Sequence, residues 1–301
     1  MPRSSQRRPP TSGRRLRGRA YLGAATLVAA SSLTVCEGAQ ASAAPMTQPV
    51  RSDRSLATLP GGGGYWLVTR SGAVVAFGDA SPLGSMALRR LNAPTIAMSP
   101  TPDGHGYWLV ATDGGVFSFG DANFFGSMAD RTLAAPIVAL TPTPDGFGYW
   151  LLGSDGGVFS FGDAGYYGSL GNVYPNAPIV GMAATPDGRG YWLLGDNGEV
   201  FSFGDADYHG SATTEIDSPA SGIAAVPGGT GYWISTVDGG VYSFGGARFF
   251  GSAVPYRPNE PVDGIVGTSD GNGYWLVADD GGVFSFGDAS FLGSGVTKGT
   301  G

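Results

Sequence analysis

The stretch that decides the fold is Ala135-Pro-Ile-Val-Ala-Leu-Thr-Pro-Thr-Pro-Asp-Gly-Phe-Gly-Tyr-Trp-Leu-Leu-Gly-Ser-Asp-Gly-Gly-Val-Phe-Ser-Phe-Gly-Asp-Ala-Gly-Tyr-Tyr-Gly-Ser169. Turn residues cut it at Pro144-Asp145-Gly146, Asp155-Gly156-Gly157 and Gly162-Asp163-Ala164. Between the cuts lie Ile137–Leu140, Tyr149–Leu152, Val158–Phe161 and Tyr166–Ser169, short runs rich in aromatic and β-branched residues. These are strand lengths and strand compositions, and helical periodicity is absent.

The same unit recurs along the chain. Trp66, Trp108, Trp150, Trp192, Trp233 and Trp275 are all six tryptophans, spaced by 42, 42, 42, 41 and 42 residues. A period this regular marks one supersecondary unit that buries its apolar face only against copies of itself. Four short strands in about 42 residues match a β-propeller blade. The expectation is an all-β, six-bladed β-propeller with four strands per blade over residues 55–294. Paired hairpin units of a solenoid, each near 20 residues, are the rival reading. The two halves of the repeat are unlike each other, which favours blades.

The first strand supplies an independent test. Ser55, Ala97, Ala139, Gly181, Gly222 and Gly264 stand at one position, all small, and Leu56, Met98, Leu140, Met182, Ile223 and Ile265 follow. Inner strands of a propeller crowd the axis, where small side chains fit, while the large neighbour fills the wedge toward the next blade. This strand is therefore expected to be innermost. The tryptophans, mid-strand in every copy, read as the repeat core and not as a sugar-stacking platform, each burial contributing about 1.5–3 kcal/mol.

Residues 1–43 read as a signal peptide. Seven arginines between Arg3 and Arg19 precede the apolar run Tyr21–Ala30, and the segment closes on Ala39-Gln-Ala41-Ser-Ala43. Residues 44–54 form a polar leader and 295–301 a flexible tail. The only cysteine, Cys36, lies in the segment to be removed. The mature chain then has no thiol chemistry and no disulfide. Removal also leaves 10 basic and 23 acidic residues, a net charge of −13. Phosphate backbones repel such a chain, which excludes nucleic acid and disfavours anionic membrane surfaces. No membrane span is expected after cleavage.

Catalytic signatures are absent from the sequence. His105 and His209 show no metal-ligand spacing, no nucleophile elbow occurs, and the glycines are turn residues. A calcium ring on the Asp-Gly turns would be broken by Pro60-Gly-Gly62 and Pro227-Gly-Gly229. No metal, cofactor or catalytic residue is assigned. Glycoside hydrolysis needs only two carboxylates, but Glu199, Glu215 and Glu260, the three glutamates of the mature chain, do not single out a pair.

What varies between copies is the loops joining blades. Strand alternation places these loops and the second-to-third-strand turns on one face. Arg89, Arg90, Asp130, Arg131, Tyr174, Glu215, Asp217, Tyr256, Arg257 and Glu260 are thus the candidate ligand-binding residues, sharing one rim.

The pattern in Gly106-Tyr-Trp-Leu-Val-Ala-Thr-Asp-Gly-Gly-Val-Phe-Ser-Phe-Gly-Asp-Ala-Asn-Phe-Phe-Gly-Ser127 resembles a repeat of exported actinobacterial proteins, over essentially the whole mature chain. The resemblance implies an extracellular or wall-associated accessory role, often beside a hydrolytic domain that this chain lacks. The expected protein is a secreted monomeric module that binds cell-wall polysaccharide or an exported protein. Alternatives are a carbohydrate-active hydrolase using carboxylates at the propeller mouth, and a surface protein that self-associates.

Overall fold

The computed structural model describes residues 54–171 and 175–295. The expected signal peptide, most of the leader, Tyr174 and the end of the tail lie outside them. The described residues form six three-stranded antiparallel sheets, each built from consecutive strands. The first strands are β1 (Arg54–Thr58), β4 (Thr95–Pro100), β7 (Ile137–Pro142), β10 (Ile179–Ala184), β13 (Ala220–Ala225) and β16 (Val262–Gly267). The middle strands are β2 (Gly64–Thr69), β5 (Gly106–Ala111), β8 (Gly148–Gly153), β11 (Gly190–Gly195), β14 (Gly231–Thr236) and β17 (Gly273–Ala278). The third strands are β3 (Val74–Gly78), β6 (Val116–Gly120), β9 (Val158–Gly162), β12 (Val200–Gly204), β15 (Val241–Gly245) and β18 (Val283–Gly287). The one helical element among the described residues is a single 3₁₀ turn, Val254–Tyr256.

Each first strand neighbours the first strand of the next sheet, and β1 neighbours β16, so the sheets stand as blades around an axis in a β-propeller arrangement. The small residues Ser55, Ala97, Ala139, Gly181, Gly222 and Gly264 all line the axial cavity, as expected. The large residues beside them fill the wedges. Met182 packs with Trp150 and Leu152 of the preceding blade and with Tyr191 and Leu193 of its own. Six such clusters occur, one per joint, and the sixth joins Leu56, Tyr65 and Leu67 to Trp275 and Val277.

The tryptophans are at most 1% exposed, which rules them out as a sugar platform and assigns them to packing. Across a joint, the Trp150 ring meets Tyr191 edge-on at 5.7 Å, a favourable aromatic geometry.

The expected fourth strand is not formed, which corrects the four-strand blade. Tyr166–Ser169 has strand composition but pairs with no strand. Its backbone groups are taken by side chains instead. The Trp150 indole N–H donates to the Gly165 carbonyl at 2.7 Å. From the next blade, the Tyr191 hydroxyl accepts the Tyr167 N–H at 3.2 Å and donates to the Gly168 carbonyl at 2.6 Å. Gly168 sits at φ 135°, and a Cβ there would meet the Phe203 ring at 2.6 Å. Only glycine tolerates that backbone, so the segment leans into the joint and leaves the ladder.

Candidate functional site

Backbone hydrogen bonds tie the loops between blades to the turns after the middle strands. The Met128 N–H donates to Gly114, the Thr112 N–H to Pro94 and the Ile137 N–H to Thr112, at 2.9, 3.0 and 2.9 Å. The same contacts recur at the next joint through Leu170, Ser154 and Ile179. The loops and these turns therefore share one face. Arg89, Arg90, Asp130, Arg131, Glu215, Asp217, Tyr256, Arg257 and Glu260 are all exposed there.

The fold brings some of these residues together and keeps most apart. Arg89 shares a shallow pocket with Arg70 and Asn92. Glu215 and Asp217 gather near Asp238 and Tyr242, where burial first, then these carboxylates, push the Tyr242 phenol up. Glu215 and Glu260 lie on separate loops, before the fifth and the sixth blade respectively. Tyr256 and Arg257 line a pocket of about 330 Å³ with Asn259, Asp280 and Phe291. The Tyr256 ring lies 6.3 Å from Phe284 and 6.4 Å from Phe286.

The axial cavity, about 210 Å³, is a second concave site. Its one charged lining residue among the described residues is Asp263. In blades two to six a register shift sets one first-strand residue off the ladder: Ile96, Val138, Val180, Ser221 and Asp263. Such bulges re-aim a side chain. Asp263 is a departure legible in the sequence, an aspartate where blades two to five carry Ile96, Val138, Val180 and Ser221.

On the opposite face, the turn aspartates are occupied by the turns themselves. The Thr143 hydroxyl lies 2.8 Å from Asp145 Oδ1, 3.1 Å from the Gly148 carbonyl and 3.3 Å from Asp163 Oδ1, so three acceptors compete for its one proton. Thr143 and the Phe147 N–H hold the Asp145 carboxyl below its ordinary range, while burial and the Asp145 charge push Asp163 up. The second blade adds a histidine. Asp103, His105 and Asp121 each place one potential ligand atom within 4.8 Å of the others, all exposed. Asp103 already accepts from the Thr101 hydroxyl at 2.7 Å and from the His105 N–H at 3.1 Å.

No family model matches the chain, and no curated protein matches it. Among solved structures it is similar to the β-propeller domain of Cps50 (Swd1) from Myceliophteria thermophila, with a TM-score of 0.50 and 11% identity. The match covers 77% of this chain and 81% of that one. At that identity the likeness shows the β-propeller fold and no more. Among the described residues no helix is long and apolar enough to cross a membrane.

Proposed function

We propose that this chain is a secreted, monomeric, non-catalytic module of an actinobacterial exported-repeat family, binding a wall glycan or an exported protein through its loop face. A propeller fold supports a binding or scaffolding role in general, because a rigid core presents variable loops on one side. One observation carries the reading. The core repeats almost without change from blade to blade, while the exposed loops between blades differ in every copy and share one face. The arginine-rich, apolar and Ala-x-Ala order of the N-terminus supports export. The acidic mature chain supports an uncharged glycan or a protein over a polyanion.

Co-sedimentation of residues 44–301 with purified insoluble actinobacterial walls tests this. Binding that soluble wall glycan competes away is the expected result. Sedimentation that only protein-bearing walls support assigns an exported protein as ligand. Failure to sediment with either preparation overturns the wall assignment. Release of reducing sugar in the same tubes, lost in Glu215→Gln or Glu260→Gln, would replace the module by a hydrolase.

A further inference from the structure

Among the described residues, the loop before the sixth blade builds the one place on the loop face where two exposed aromatic rings share a pocket with charged and amide side chains. Tyr256 and Phe291 are 68% and 60% exposed, although both are large apolar rings. Together with Arg257, Asn259 and Asp280 they line a pocket of about 330 Å³. That volume is within the range of small-molecule sites, about 300–1,000 Å³. Exposed rings recur at the Phe291 position in other blades, as Phe124, Tyr166, Tyr208 and Phe249. The loops entering the second, third and fifth blades bring no aromatic residue to them, and the loop entering the fourth carries Tyr174, which lies outside the described residues. What sets the sixth blade apart among the described residues is therefore the second ring, Tyr256, in a loop of the same length as those before the second, third and fourth blades, with Arg257 and Asn259 beside it.

Three features show that the pocket is held in shape. The Tyr256 ring lies beside both Phe284 and Phe286, which support it from one side and reduce the rotamer freedom it has to lose. The Asp280 Oδ1 accepts the Gly282 N–H at 2.8 Å, which orients its carboxylate. Arg257 is the one non-glycine residue at positive φ among the described residues, at φ 50° and ψ 72°. A side chain in that region costs about 1–3 kcal/mol and persists where its surroundings require it, commonly at ligand sites.

We propose that this pocket is the saccharide subsite of the module and takes a neutral pyranose ring of a wall glycan, an inference that rests on the binding-module reading above. A pyranose has an apolar C–H face, which an aromatic plate matches, and a rim of hydroxyls that donate as well as accept. Asp280 accepts from such hydroxyls, the Arg257 guanidinium donates to them, and the Asn259 amide does both. Arg257 and Asp280 balance each other in charge, which suits an uncharged ring, an N-acetylated hexosamine included. An anionic ligand would meet a chain of net charge −13.

The experiment is titration calorimetry of residues 44–301 with soluble neutral glycan released enzymatically from the walls, run beside wall co-sedimentation. Tyr256→Ala and Phe291→Ala are each expected to weaken glycan affinity about tenfold or more, as loss of an aromatic anchor does. Tyr256→Phe keeps the plate and retains most of the affinity. Phe124→Ala removes an equivalent ring from a blade without a second one and leaves affinity unchanged. Both target rings are exposed, and matching thermal melts establish that the variants fold. If the parent binds walls and soluble glycan while Tyr256→Ala and Phe291→Ala bind equally well, the subsite assignment is overturned and the module reading stands. If the parent binds walls only through their protein, the saccharide is overturned and the module stands. If the parent binds neither walls nor glycan, both readings fall together.

Discussion

The Tyr65 hydroxyl donates to the Gly293 carbonyl at 2.5 Å and accepts the Leu292 N–H at 3.2 Å, joining residues 228 positions apart. An internal joint has the same pair of bonds, where Tyr149 accepts from Phe125 and donates to Gly126. The aromatic packing is shared too, with Tyr65 facing Trp275 as Tyr149 faces Trp108. The first and last blades are thus closed by a sixth copy of the joint, and each blade keeps its own three strands. Tyr65→Phe and Tyr149→Phe should therefore destabilise the protein alike, by about 1–3 kcal/mol, because each strands a backbone carbonyl and N–H. Urea unfolding of the two variants side by side checks this. A far smaller loss at Tyr65 would mean that the ring parts at the closure without cost.

Gly168 separates the three-strand blade from the four-strand one. At φ 135° with Phe203 against it, an added methyl meets the ring at 2.6 Å. Gly168→Ala should cost about 2–5 kcal/mol, combining backbone strain with overpacking. Gly228→Ala is the control. Its φ is also positive, 88°, but nothing lies within 4 Å of the new carbon, so the expected loss is about 1–2 kcal/mol. Equal losses in thermal melts would place the constraint in backbone conformation and remove the interblade contact as its cause.

Six of the 13 tyrosines should resist ionisation until the protein unfolds. Burial pushes the phenols of Tyr65, Tyr107, Tyr149, Tyr191, Tyr232 and Tyr274 up, Tyr232 to about 12, against the opposing effect of backbone hydrogen bonds. The folded state thus favours the protonated phenol. That stability is fully present below the unfolded value of 10.0 and is lost as pH rises from there toward 12. Alkaline titration followed by phenolate absorbance and near-ultraviolet dichroism should show a late phase that coincides with loss of tertiary signal. Ionisation of all tyrosines in one early phase would contradict it.

The blade count and the inner strand were legible because they depend on local periodicity. Trp150 recurs every 41 or 42 residues, and the small-then-large pair Ala139-Leu140 appears in each first strand in forms such as Gly181-Met182. The outer segment misled because Tyr166-Tyr-Gly-Ser169 has strand composition, while the group that claims its backbone, Tyr191, lies 24 residues downstream of Tyr167. Composition cannot report a partner in the next blade. For the site, strand alternation sufficed to place Tyr256 and Arg257 on the loop face. That Phe291 and Asp280 close a pocket around them is a relation between a loop and a blade, visible only once both are folded. Asp263 was legible in the sequence, since the same position of blades two to five reads Ile96, Val138, Val180 and Ser221.

Arg257 ties stability to the proposed subsite. Glycine relieves the positive φ of 50° but adds freedom to the unfolded chain. The relief, about 1–3 kcal/mol, exceeds the entropic loss of about 0.5–1 kcal/mol. Arg257→Gly should therefore be more stable by roughly 1 kcal/mol, the difference of the two central values, or about 2–4 °C in Tm for a domain of this size, and should bind neutral glycan more weakly. Arg257→Ala keeps the strained backbone and removes the same guanidinium, so it should lose affinity to the same degree with no gain in Tm. Comparing the two separates the conformation from the side chain. If Arg257→Gly gains stability and keeps full affinity, the guanidinium plays no part in binding. If it gains none, the left-handed turn is held by its surroundings at no local cost, and the strain argument for the pocket is withdrawn.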